Sequence, residues 1–90
     1  MERNEISLHE VKVYRVFKGS PDKWLTNAEV ANAGGLKTRT ARWHTMRFAA
    51  LGIIERAEVF PSHKFKLSSK AGKRNGGFLQ RLEQADKLFQ

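Results

Sequence analysis

Ninety residues, 40% apolar and 29% charged, make about one small domain, which excludes a two-domain enzyme with a cleft between its halves. There is no cysteine, so a disulfide scaffold, thiolate metal sites and thiol catalysis are excluded and a reducing cytoplasm suits the chain. The formal net charge of +8 is uneven: residues 1–35 carry five basic and five acidic side chains, residues 75–90 two of each, and residues 36–74 ten basic and two acidic. The whole surplus lies in the middle segment, which is what a polyanion-binding face needs. No apolar run approaches the ~18 residues that span a membrane. The charged start, Met1 to Glu5, leads into no signal-type stretch. A cytoplasmic, nucleoid-associated protein with no membrane partner is the expectation.

Ser7-Leu8-His9-Glu10 has capping-box form and opens a first helix with Leu8, Val11, Tyr14 and Phe17 at helical spacing and Val13 and Val16 beside them. Gly19-Ser20-Pro21-Asp22 stops it. Trp24-Leu25 is a short apolar entry to a second capping box, Thr26-Asn27-Ala28-Glu29. Helix two is brief and ends at Gly34-Gly35, with Leu36 beneath the turn. Thr38 is expected to cap helix three, which runs to about Leu51 with Ala41, His44 or Thr45, Phe48 and Leu51 on one face. Gly52 is its stop.

The period then changes to two. Ile53 to Phe60 reads as a strand, Pro61-Ser62-His63 as a turn, and Lys64 to Ser68 as a second strand with Phe65 and Leu67 inward and the lysines outward. Ser69 to Gly77 is a basic, glycine-containing linker in which Lys70, Lys73 and Arg74 add non-specific attraction for a polyanion. A last amphipathic helix follows, with Phe78, Leu82, Ala85 and Phe89 on one stripe and Leu79 and Leu88 beside it. The expected organisation is an α+β unit over 5–69, a linker over 70–77 and a C-terminal helix over 78–90.

The order helix, short strand, helix, turn, helix, β-hairpin resembles a winged helix-turn-helix domain. Thr40 to Arg56 carries the most specific likeness, to the recognition-helix signature of MarR-type and ArsR-type regulators. Thr40 and Ala41 stand where those families open the helix with a small polar pair. Phe48 lies four before Gly52, and Ile53, Ile54 and Arg56 follow. Thr26 to Val30 is similar to the opening of helix two. The chain lacks the long flanking helices of MarR dimers and the cysteine pairs of metal-sensing ArsR proteins, so no ligand- or metal-sensing role is carried over. The resemblance implies a compact double-stranded-DNA-binding module, of a size common among phage and plasmid regulators.

On that reading helix three enters the major groove. Arg39 and Arg42 are the expected base readers, because arginine can donate two bonds to a guanine edge. Thr38 and Thr40 suit phosphates, and Lys37, Met46 and Arg47 lie on the same exposed side. Trp43 falls at the border of the wheel; packing is the favoured role, a phosphate or thymine-methyl contact the other. His44 reads as a satisfied interior histidine. Ser62, His63, Lys64 and Lys66, in a wing over 59–66, would reach the backbone or minor groove, or merely guard a sheet edge. The last helix has two roles open, a fourth core helix or a homodimer seam through Phe78, Leu79, Leu82, Ala85 and Phe89, and the dimer is favoured. A protein-interaction module on the same scaffold, or a non-specific nucleic-acid binder, are the alternative functions.

No enzyme, metal or cofactor site is expected. His9, His44 and His63 are not at ligand spacing, Gly34-Gly35 and Gly76-Gly77 are bare doublets, and Glu55 and Glu58 point to opposite faces of a strand.

Overall fold

Both capping boxes form. The Ser7 amide donates to the Glu10 carboxylate at 2.8 Å and the Glu10 amide to the Ser7 hydroxyl at 3.2 Å, and Thr26 and Glu29 repeat the exchange at 2.8 and 3.1 Å. Each box satisfies two donors that a helix start otherwise leaves open. The computed structural model describes residues 6–59, 61–68 and 77–88. Its elements are α1 (Leu8–Gly19), β1 (Leu25–Thr26), α2 (Asn27–Gly34), α3 (Thr38–Ala50), β2 (Ile54–Glu58), β3 (His63–Leu67) and α4 (Phe78–Leu88).

Two glycines set the path through the centre. Gly35, at φ 68°, closes α2, and the Leu36 amide reaches back to the Ala31 carbonyl at 2.8 Å. Three residues then separate α2 from α3, a helix-turn-helix spacing. Gly52, at φ 76°, ends α3. Its amide donates to Ala49 and the Ile53 amide to Phe48, the paired bonds of a Schellman cap. Phe48 and Ile53, the apolar pair that accompanies this cap, are both fully buried.

The sheet is antiparallel in the order β1-β3-β2, with Leu25 opposite Phe65 and Ile54 opposite Leu67. Phe17, Phe48 and Phe65 are the largest fully buried side chains, around which Val13, Val30, Ala41 and Ile53 complete the centre. Thr45 is fully buried too, and its hydroxyl, 2.5 Å from Asn27 Oδ1, ties α3 to the first turn of α2.

Three expectations need correction. Lys37, not Thr38, occupies the cap position of α3, and it makes no side-chain cap bond; Thr38 is already helical. His63 belongs to β3 rather than the turn, because it pairs across the hairpin with Glu58. Leu8 lies 45% exposed, outside the α1 stripe. For α4 the sequence left two roles open, a fourth core helix or a homodimer seam. Phe78, Leu82 and Ala85 are buried within this chain, where Phe78 and Leu82 join the main core cluster and Leu79 packs against it. The Phe78 ring meets Phe48 edge-on at 5.9 Å. These contacts fill the fourth-core-helix role that the sequence left open. Phe89, the remaining member of that expected seam, lies outside the described residues, as do Lys70, Lys73 and Arg74.

Polar contacts fix the same docking. Tyr14 donates to Glu83 at 3.3 Å, and Arg15 bonds both the carboxylate and the carbonyl of Asp86, with Lys18 3.5 Å from the second carboxylate oxygen. Burial, then the neighbouring Glu83, pushes the Tyr14 hydroxyl up to about 12. The bond from Arg15 holds the Asp86 carboxyl below its ordinary value.

Candidate nucleic-acid interface

α3 contains no acidic residue, and three of its arginines, Arg39, Arg42 and Arg47, are exposed. Arg39, Arg42, Trp43, Met46 and Arg47 line one open concavity along its outer side. They recur at three- and four-residue steps, so they form a single stripe opposite the buried Ala41, His44, Thr45 and Phe48. Arg39 and Arg42 make no ion pair among the described residues. Lys37 and Thr38 are exposed and Thr40 half-buried at the start of the same helix. No side chain caps this end, so the first-turn amides are left to an outside acceptor, at the end of the helix where the dipole favours an anion.

Arg47 differs from the other two. It pairs with the Glu10 carboxylate, and its guanidinium lies over the rings of Trp43 and Phe78 at 5.7 and 4.8 Å. Glu10 is itself 5% exposed. Burial pushes its carboxyl up, but the bonds from Ser7 and Arg47 outweigh burial and leave it lowered. Arg47 thereby clamps α3 to the N-terminal turn of α1 and braces the inner side of Trp43.

Trp43 is 61% exposed, against the packing role favoured by its position on the wheel. Its edge meets His44 at 5.0 Å and 89°. His44 is buried, as expected, but not satisfied: its Nδ1 has no hydrogen-bond partner among the described residues. The ring sits between Trp43, Phe48 and His9 instead, and burial lowers its pKa from 6.5, with Glu10 opposing and His9 and Arg47 assisting.

These shifts give stability a pH dependence of definite sign. A histidine with a depressed folded pKa is protonated more readily when unfolded, so its contribution is complete above 6.5 and declines as pH falls below it. The lowered carboxyls of Glu10 and Asp86 contribute above their ordinary values of 4.5 and 3.8 and lose that contribution on further acidification. Urea unfolding followed from pH 8 to 3 is expected to show two stages of loss. His44→Phe should remove the first; an unchanged slope between pH 7 and 5 in that variant would assign the upper stage to another group.

The wing stands beside α3. Ser62, His63 and Lys64 are exposed near its tip, and Lys66 is half-buried with its Nζ 5.1 Å over the ring of Trp24. Arg56 on β2 pairs with Glu58 and donates to Met46 Sδ at 3.7 Å, linking wing to helix. Trp24, 38% exposed, is the residue that the sequence did not mark for this surface; only the pairing of β1 with β3 brings it next to the wing lysines. Among the described residues no three His, Asp or Glu side chains gather as a metal site, and no helix is long and apolar enough to cross a membrane.

The helix-turn-helix followed by a hairpin in the order β1-β3-β2 defines a winged helix-turn-helix domain, as the α+β resemblance implies. No protein-family model matches the sequence, and none of the curated proteins matches it significantly. Solved structures do. A "possible transcriptional regulator" from Methanosarcina mazei Go1 is similar at TM-score 0.68 and 21% identity, over 93% of this chain and 74% of that one. A MarR family protein from Bacillus stearothermophilus follows at 0.59 and 15%, over 89% and 56%. TrmBL2, an archaeal chromatin protein, is similar at 0.64 and 16%, over 98% and 34%. The chain thus spans about three quarters of the first and less than two thirds of the other two.

Proposed function

We propose that this chain binds double-stranded DNA as a transcriptional regulator, laying α3 in the major groove and the 59–66 wing against the backbone or minor groove. The observation that carries this reading is the outer stripe of α3, where Arg39 and Arg42, without an ion pair among the described residues, project from a helix with no carboxylate, beside the wing lysines. Arg39 and Arg42 read guanine edges. Lys37, Thr38, Thr40 and the open first-turn amides take phosphates, as do Ser62, His63, Lys64 and Lys66. Arg47 acts from behind, holding Trp43 and the helix in place. Regulation follows from occupancy of an operator or from recruitment of a partner.

Similarity to a chromatin protein over nearly the whole chain supports a second reading, a duplex binder with little sequence preference. Fluorescence anisotropy of a labelled mixed-sequence duplex tests both. If about six phosphates are neutralised, affinity falls on the order of a thousandfold between 50 and 200 mM salt. Folded protein that binds no duplex at low salt sinks both readings. A selected duplex that competes no better than bulk DNA leaves only the second.

A further inference from the structure

Trp43 is the anomaly of the cationic stripe. An indole 61% exposed in the middle of α3 gives up apolar burial that the fold could have used, and a phosphate could engage only its N–H edge, since a charged oxygen does not favour contact with the aromatic carbon face. Its mobility is restricted all the same, by the His44 edge on one side and the Arg47 guanidinium on the other. Met46 lies next to it, half-buried and held from β2 by Arg56. The two side chains form a preset apolar floor, and Arg39 and Arg42 stand at its sides.

We propose that this floor receives the C5-methyl group of a thymine, making Trp43 and Met46 specificity-determining residues of the DNA reading given above, on which the inference rests. Charge complementarity selects the occupant. The cationic rim repels a second copy of the same face, and it attracts a polyanion. Within the major groove of DNA the one apolar group on a base edge is the thymine methyl. Geometry also limits where that thymine sits. Trp43 is four residues beyond Arg39, about 6 Å along the helix axis, which is close to two base-pair steps when the helix follows the groove. The thymine therefore lies within about two base pairs of a guanine read by arginine.

The test uses the whole chain and a duplex recovered by selection from a random library. Each thymine of the selected site is replaced in turn by deoxyuridine, which removes the methyl and leaves every hydrogen-bonding group. Each guanine is replaced in turn by 7-deazaguanine, which removes the N7 acceptor. One thymine is expected to lose affinity by roughly three- to tenfold on replacement, the scale of one buried methyl. It should lie within about two base pairs of a guanine sensitive to the deaza change. In Trp43→Ala the thymine and uracil duplexes should bind equally, while the guanine sensitivity persists. Equal binding of all uracil duplexes by the unaltered protein overturns the inference and leaves the DNA reading intact. So does a methyl effect that survives in Trp43→Ala. Failure to bind any duplex in a salt-dependent way overturns both, and is recognised before a single base is altered.

Discussion

Leu82→Ala is expected to lower the unfolding free energy by about 2–5 kcal/mol, the range for truncating a fully buried leucine, and by the same amount at low and high protein concentration. The side chain is completely buried beneath α4, in one cluster with Phe78, Tyr14 and Phe48. Arg15 and Tyr14 bond the adjacent turns of the helix at Asp86 and Glu83. With α4 folded onto its own chain, the cavity left by alanine is an intramolecular defect, and its effect has no concentration term. A seam between subunits would behave otherwise, because association stabilises by mass action. Urea unfolding followed by circular dichroism at micromolar and submillimolar protein distinguishes the two. A wild-type midpoint that climbs with concentration, and loses that climb in Leu82→Ala, would return α4 to a seam.

Sequence left α4 between a core helix and a seam for a physical reason. An amphipathic stripe reports that a helix buries one face; it carries no mark of whose surface receives it. The glycines at 76 and 77 suggested a detached helix, whereas Arg15, Lys18 and Tyr14 turn out to hold α4 by contacts separated from it by more than sixty residues. Such long-range pairs leave no periodic signal. Elements whose shape is decided locally were legible. The capping boxes at Ser7 and Thr26, the glycine stops at Gly35 and Gly52, and the alternation at Lys64–Leu67 each depend on neighbours within a few positions, and all appear at or within a residue of their expected places.

The candidate interface divides along the same line. That Arg39 and Arg42 point outward follows from the register of α3, which Ala41 and Phe48 fix. The exposure of Trp43 does not follow, because a residue at the border of a wheel is packed or left bare according to the neighbouring elements. Here Arg47 is drawn under the indole by Glu10 and Phe78, and His44 takes the interior position beside it. Sequence placed Arg47 among the exposed candidates on the DNA side of α3; the buried carboxylate on α1 that engages it was visible only as half of a capping box.

That difference between the arginines yields the other large effect. Arg39→Ala and Arg42→Ala should each weaken binding to a selected duplex by about 1–3 kcal/mol, roughly fivefold to 150-fold, by removing a bidentate guanine contact. Each should relax preference at one base pair, leave affinity for bulk DNA nearly unchanged, and leave the unfolding midpoint in place, because both side chains are exposed and unpaired among the described residues. Lys64→Ala, in the wing proposed to meet the phosphates, should instead weaken all duplexes alike and reduce the salt slope by about one. Arg47→Ala should act mainly on the fold. It strips the partner from Glu10, a carboxylate only 5% exposed whose pKa then rises, so the variant is less stable above the ordinary carboxyl value of 4.5 and loses less on acidification through it than the wild type does. Competition binding against bulk DNA, paired with urea unfolding of each variant, separates these outcomes. If Arg39→Ala and Arg42→Ala bind the selected and bulk duplexes with the wild-type ratio, α3 does not read base edges through these residues, and the stripe serves the phosphate backbone alone.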